Sequence, residues 1–390
     1  MKTVDEKMTE LGDGKAARKE RSREKIIVRT SIIGILANVA LAAFKAIIGL
    51  ITGSIAITMD AVNNISDAGS SLITIIGTKL AGKQPDKQHP WGYGRIEYIS
   101  AMVISLIVLY AGITSLVESV KKIIHPEAAS YTTPALIIIA VAVVVKIILG
   151  RYVKGVGVKV NSDSLINSGT DATLDSIISA STLVAALIFI FFGLSLEAWL
   201  AAVISLVIIK SGIDMLRETL SKILGQRIDV ETAKKVRSVL LDIPGIDGIY
   251  DLIFHDYGPD RINCSAHAEV ADHLTAVELD ELQRNATMKL YHETGVILTA
   301  LGVYAVNTKD EKINKMREDV YRVVMGHENL LEMHGFYVNE KEKRMQFDII
   351  VGFEAKDREG MYRHIVDEIR SLYPDYQVTI IQDQDFSLTE

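Results

Sequence analysis

Two short stretches carry carboxylates at helical spacing inside otherwise apolar sequence. The first, TMDAVNNISDAG at positions 58–69, holds Asp60, Asn63, Asn64 and Asp67; the second, SGTDATLDS at 168–176, holds Asp171 and Asp175. An α-helix turns about 100° per residue, so positions four apart share a face and positions seven apart nearly do. Asp60, Asn63 and Asp67 therefore form one polar stripe, and Asp171 with Asp175 a second. A carboxylate at the centre of a bilayer helix costs about 2.5–3.5 kcal/mol even on the lenient insertion scale, roughly 10 kcal/mol for the four together if unpaired. Neither stripe contains Lys or Arg, so relief is expected from a bound cation or from protons. Two ways of neutralising the same oxygens make metal–proton exchange a natural chemistry. Hydrogen bonding between helices is an adequate alternative for Asn63, Asn64, Ser66, Ser70 and Ser71, but not for four carboxylates.

The donor set is all oxygen, without imidazole or thiolate. Such a set suits Mn²⁺, Mg²⁺ and Ca²⁺ better than Zn²⁺. Few protein ligands, with room left for water, favour Mn²⁺ over Ca²⁺; Fe²⁺ stays open.

The elements that must position these residues follow from hydropathy. The chain is 49% hydrophobic yet 23% charged, which fits a membrane half and a soluble half. Spanning a bilayer takes about 20 mainly apolar residues. Six segments qualify: Ile27–Ile51, Ile55–Ala81, Ile96–Val120, Pro134–Val153, Ser164–Gly193 and Leu196–Leu220. The second and fifth are the least apolar, because they carry the two stripes. Basic residues gather before the first segment (Arg18, Lys19, Arg21, Arg23, Lys25), after the second (Lys83, Lys87, Arg95) and after the fourth (Arg151, Lys154, Lys159). By the positive-inside rule both termini are cytoplasmic, in a plasma or inner membrane, with Lys121 and Lys122 counting the other way.

From about Gly225 the pattern is soluble: helix Glu231–Asp242, strands Ile249–Phe254 and Arg261–Glu269, helix Ala276–Glu293 and strand Val296–Ala305. It then recurs: helix Lys312–Met325, strands Leu331–Val338 and Arg344–Glu354, helix Arg358–Leu372, strand Gln377–Gln382. Matching His267 to Val351 and Val296 to Val378 reads this as a duplicated αββαβ unit, each copy a small ferredoxin-like sandwich. The expected fold class is thus a six-helix α-helical membrane protein followed by a cytoplasmic α+β ferredoxin-like domain in duplicate. The expected divisions are 1–26, a charged cytoplasmic segment; 27–225, transmembrane; 226–307, the first αββαβ domain; and 308–390, the second.

Other classes recede. The charged N-terminus argues against a cleaved signal peptide. The single cysteine, Cys264, excludes an intrachain disulfide and a Cys-rich zinc site. No basic stripe with interleaved aromatics suggests nucleic acid, and no nucleophile–base pair or phosphate-binding glycine loop suggests an enzyme.

Taken together, DAVNNISDAGSS, HPWGYGRIEY, IIHPE, DATLDS and HDYGPD…SAHAEV resemble the cation diffusion facilitator family over roughly Lys25 to Asn307. The resemblance implies a homodimeric secondary transporter in which Asn63, Asp67, Asp171 and Asp175 bind the transported ion midway through the membrane. Zinc-preferring members usually have His at the position of Asp171, so the pattern here looks like the manganese-transporting branch. Two departures bear on zinc. The loop after the second helix keeps His89 but has Tyr93 where some zinc members have a second His, and Tyr250 replaces a His of their soluble-domain site. His255 and His267 remain there as candidates for a regulatory ion, with a structural role as the alternative. The expected activity is Mn²⁺ export from the cytoplasm in exchange for H⁺, with Asp60 on the ion path. A Zn²⁺, Fe²⁺ or Co²⁺ carrier of the same architecture is the first alternative; a non-transporting membrane metal sensor is the second.

Overall fold

A computed structural model describes residues 4–52, 55–125, 133–192, 196–259, 261–384 and 386; side chains are described from residue 22 onward, except 49, 51–52, 55–60, 62, 63, 66, 133–135, 182, 186 and 197. By internal contacts the chain forms two compact units, 1–226 with 256–261, and 227–255 with 262–390.

The first unit is built from long helices: α1 (Val4–Thr52), α2 (Ile55–Ala81), α3 (Ile96–Ile124), α4 (Thr133–Lys159), α5 (Asp163–Phe192) and α6 (Glu197–Leu224). The helix of α1 begins well before the apolar segment, so the charged N-terminal residues continue it. Five helices have the length and apolar composition to cross a bilayer: α3, α5, and the stretches Ser22–Ile48, Leu136–Lys159 and Ala198–Leu224 of α1, α4 and α6. The 27 residues of α2 reach about 40 Å at 1.5 Å each, but it is not among the five; its polar stripe lowers its hydropathy. Five spans rather than six therefore meet the apolar criterion among the described residues.

Helices pack mainly in pairs, α1 on α2, α3 on α6 and α4 on α5. Small residues set the closest approaches, as is usual where lipid offers no hydrophobic driving force between helices. A Cβ on Gly169 would lie 2.4 Å from Lys154 N, and one on Gly157 would lie 2.8 Å from Ile166 N. Ion pairs tie helix ends together. Arg23 makes a two-pronged contact with the buried Glu97 at 2.8 Å each, and Lys222 reaches Asp163 at 2.7 Å. The HPWGYG loop meets the segment 256–261: Trp91 stacks on Tyr257, Arg95 donates to the Asp256 carbonyl at 2.8 Å, and Tyr98 donates to the Asp256 carboxylate at 2.8 Å. Gly94 and Gly258 allow that approach, since a Cβ on Gly94 would lie 2.5 Å from Tyr257 O. His89 sits in a turn closed by Asp86, whose Oδ1 accepts from His89 N at 2.8 Å.

The second unit contains α7 (Val230–Leu241), β1 (Gly248–Asp256), β2 (Ile262–Ala271), α8 (Ala276–Thr294) and β3 (Ile297–Val306), then α9 (Glu311–Val324), β4 (Leu330–Asn339), β5 (Arg344–Val351), α10 (Arg358–Leu372) and β6 (Gln377–Asp383). Each half has a three-stranded sheet, ordered β1-β2-β3 and β4-β5-β6, with the last pair parallel in both. Caps mark the helix starts: Thr275 and Glu278 form a capping box on α8, and Asp229 caps α7. One sheet face of each half packs on its helices, around Val236, Leu240, Ala268 and Leu290 in the first and Val320, Phe347, Ile349 and Ile365 in the second.

The repeat is present, but its register differs from the expected one. Core-facing residues are Cys264, Ala266, Ala268 and Val270 on β2 and Met345, Phe347, Ile349 and Val351 on β5. Strand side chains alternate with period two, so an even offset puts His267 on the wrong face. His267 therefore cannot match the core-facing Val351; like Asp348, it stands on the sheet face away from the helices.

Candidate metal-ion site in the membrane helices

Asp67 of α2 and Asp175 of α5 converge on one side chain that the stripes do not contain. Lys146 of α4 donates from Nζ to Asp67 Oδ2 at 2.8 Å and to Asp175 Oδ2 at 2.6 Å. The lysine is buried, its side chain 5% exposed, and the two carboxylates are partly so. Asp171, one turn before Asp175, lines a small cavity with Asp67, Asn38, Ser71 and Ser168. The open space there, about 10 Å³, holds on the order of one water molecule. The geometry therefore gathers three of the four expected carboxylates from two helices and adds a fixed ammonium from a third.

The side chains of Asp60 and Asn63 lie outside the described residues; their backbone belongs to α2. Asn64, next to them, is fully buried, and among the described residues neither end of its amide has a hydrogen-bond partner.

The packing of α4 against α5 explains the position of Lys146. Gly150, one turn after Lys146 on the same face, has Thr173 Oγ1 2.5 Å from where a Cβ would be, so the two backbones nearly touch there. That contact brings the Lys146 ammonium to the level of Asp175. The expectation that a cation or proton must relieve the carboxylates is thereby amended, because part of the relief comes from the protein. A sequence signal was available: Lys146 is the lone charge in PALIIIAVAVVVKIILG, and an isolated charge in a spanning helix is a functional candidate by default. Lys45 of α1, in LAAFKAIIGL, satisfies the same criterion and is 1% exposed.

In the second unit, His267 Nδ1 lies 2.8 Å from Asp251 Oδ2 and its ring stacks on Tyr304, while His255 is exposed. Neither belongs to a described cluster in which three or more His, Cys, Asp or Glu offer ligand atoms within 4.8 Å of one another.

Apolar helices around a buried carboxylate–ammonium cluster define a multi-pass membrane protein that handles cations. Comparison with known proteins gives the family: residues 31–224 match the model of the cation efflux transmembrane domain. The chain is 28% identical over 255 residues to the uncharacterized transporter MJ0449 of Methanocaldococcus jannaschii, covering 65% of this chain and 89% of that protein. It is 26% identical over 266 residues to the manganese efflux system protein MneS of Bacillus subtilis, covering 68% and 91%. It is 26% identical over 253 residues to a cadmium, cobalt and zinc/H(+)-K(+) antiporter of Bacillus velezensis, covering 64% and 79%. The chain belongs to the cation diffusion facilitator family, whose members are transporters of divalent metal ions and not enzymes. About a third of its length lies outside these alignments.

Proposed function

We propose that this protein exports Mn²⁺ from the cytoplasm in exchange for protons, with Asn63, Asp67, Asp171 and Asp175 as the ion's protein ligands and Asp60 on its path. The observation that carries the reading is the convergence of Asp67 and Asp175 on one buried ammonium beside a cavity lined by Asp171. Oxygens that hold an ammonium at hydrogen-bond distance form a cation site by construction, and an all-oxygen set favours Mn²⁺ over Zn²⁺. The likeness to a manganese efflux protein agrees; the likeness to a cadmium, cobalt and zinc antiporter marks a carrier of softer ions as the rival.

Lys146 sets the charge balance. Three carboxylates and one ammonium leave two negative charges, which one divalent ion or two protons neutralise equally. When Mn²⁺ arrives, the ammonium gives up at least one carboxylate; when protons displace the ion, it returns. Bare carboxylates then never face the low-dielectric interior during the return. This predicts an exchange of two protons per ion.

The remaining parts of the reading are organisational. We take 1–26, 27–225, 226–307 and 308–390 as the functional divisions, both termini as cytoplasmic in a plasma or inner membrane, and the working form as a homodimer. The test is flux in liposomes. An outward-directed ion pathway driven by a pH gradient should carry Mn²⁺ in preference to Zn²⁺, and Asp171→His should move that preference towards Zn²⁺. Absence of gradient-driven flux favours a sensor, and wild-type preference for Zn²⁺ overturns the manganese assignment.

A further inference from the structure

The face of each small sheet that is turned away from its helices should be a solvated surface, yet in this protein it is crowded with ionisable groups. Asp251 of β1 comes from the first αββαβ half; His334 of β4, Asp348 of β5 and Asp383 of β6 come from the second. Each offers one ligand atom, and these atoms all lie within 4.8 Å of one another. We propose that Asp251, His334, Asp348 and Asp383 form a binding site for a divalent first-row transition cation between the two αββαβ halves.

Three features of the cluster point to an ion. The first is a shortage of protons. Tyr304 has a single hydroxyl hydrogen, yet its oxygen is 2.7 Å from Asp251 Oδ2 and 2.9 Å from Asp348 Oδ2. His334 Nε2 likewise faces two carboxylates, Asp251 Oδ1 at 3.0 Å and Asp383 Oδ2 at 3.5 Å. The second is an orphan acceptor: Asp348 is 6% exposed, and its Oδ1 has no hydrogen-bond partner among the described residues. A buried acceptor left unpaired costs about 1–3 kcal/mol, more when charged. The third is the orientation of the imidazole. Nε2 faces the carboxylates, Nδ1 lies 3.1 Å from Glu332 Oε1, and Tyr250 stacks on the ring at 4.9 Å between centroids. Nδ1 makes no hydrogen bond among the described residues; a small turn of the ring onto Glu332 would give the carboxylate–histidine–metal arrangement usual around protein-bound metals.

The backbone is shaped to the same point. Asp251 has φ +49°, rare for a residue with a side chain, and Gly335, beside His334, has φ +64°. A Cβ on Gly335 would lie 3.0 Å from Asp348 Oδ2. The ladder between β4 and β5 shifts register between His334 and Tyr337, which turns His334 away from regular alternation. His267 holds Asp251 from the opposite side, its ring fitting over Gly302, where a Cβ would lie 2.0 Å from the ring.

One imidazole and three carboxylates suit Mn²⁺, Fe²⁺ or Zn²⁺, whose ligand bonds of about 2.0–2.2 Å require ligand atoms roughly 3–4 Å apart. Ligand atoms within 4.8 Å of one another reach that by closing by about 1–2 Å at most. The competing arrangement is an ion-free one with His334 protonated. In that arrangement the imidazole would sit between the Asp251 and Glu332 carboxylates, 3.0 and 3.1 Å from its two nitrogens. Even so, three carboxylates, Asp251, Asp348 and Asp383, face that one positive charge. A divalent ion supplies the missing charge. Since the ligands come from β1 on one side and β4, β5 and β6 on the other, it would also lock the two halves together.

The site stands apart from the membrane reading, and the test keeps them separate. Full-length protein carrying Asp171→Asn and Asp175→Asn is stripped with chelator, loaded with Mn²⁺ and studied by pulsed electron paramagnetic resonance. The membrane ligands are all oxygen, so a nitrogen coupling reports an imidazole. The expected result is about one retained Mn²⁺ per chain with a single nitrogen coupling that His334→Gln abolishes. His327, His364 and Glu368 form the other described cluster of this kind, an outer one; His364→Ala should change nothing. Asp348→Asn and Asp383→Asn, near-isosteric and safer for folding, should each weaken Mn²⁺ binding at least tenfold. Absence of nitrogen coupling, its survival in His334→Gln, or unchanged affinity in both Asn variants overturns the proposal.

Discussion

Replacing Lys146 by methionine removes the ammonium and keeps most of the side chain's volume. The structure sets the scale of the effect. With Nζ 2.8 Å from Asp67 Oδ2 and 2.6 Å from Asp175 Oδ2, Coulomb's law at an effective dielectric of about 20 gives about 6 kcal/mol of gross attraction per contact. Much of that offsets the cost of burying the charges, and removing one partner of a buried ion pair typically costs 3–5 kcal/mol. An incoming Mn²⁺ no longer has to displace that interaction, so about 3 kcal/mol should reappear as tighter binding, on the order of 10²-fold in Kd. Tighter binding slows release, so flux at saturating Mn²⁺ should fall although affinity rises. Radioactive Mn²⁺ binding in detergent and flux in liposomes measure the two separately. The variant carries one positive charge fewer, so its ion-free form should also unfold more readily, and added Mn²⁺ should restore much of that loss. If Lys146→Met binds Mn²⁺ ten times more weakly while remaining folded, Lys146 supports the ion-bound state instead of competing with it, and the charge argument fails.

Two further outcomes follow from the packing. Gly94→Ala drives a Cβ to 2.5 Å from Tyr257 O, and overpacking of that kind costs about 1–3 kcal/mol; thermal unfolding in detergent should fall by several degrees, whereas Gly155→Ala, with nothing within 4 Å of its Cβ, should not lower it. Burial pushes the Cys264 thiol up to about 12, so a disulfide reagent at pH 8 should leave it unmodified in the folded protein and label it fully in denaturant. Its neutral form is favoured by folding, so the associated stability is complete below pH 9, the thiol's ordinary value, and declines as pH rises towards 12. Unfolding monitored across that range checks the sign, and rapid native labelling at pH 8 would contradict the buried position.

Local pattern was enough to determine a great deal. Apolar runs of about 20 residues in α1, α3, α4, α5 and α6, and the alternation in β2 and β5, exist within single elements, so composition and period reveal them. The i, i+4 placement of Asp171 and Asp175 is likewise a property of one helix. Pairing His267 with Val351 fails on facing: core residues are even-numbered on β2 and odd-numbered on β5, so only an odd offset superposes the two sheets.

What the sequence could not decide depends on which elements touch. Lys146 is about 80 residues from Asp67 and about 30 from Asp175 in the chain, and only the close approach of α4 to α5 at Gly150 and Gly169 turns it into their partner. Asp251, His334, Asp348 and Asp383 are scattered over four strands of two sheets, and no spacing within any one strand announces them. Sequence determined the carboxylates and the helices that carry them. Tertiary structure decided the charge that answers them, because burial in a low dielectric makes each such charge depend on whatever lies a few ångströms away, wherever in the chain it originates.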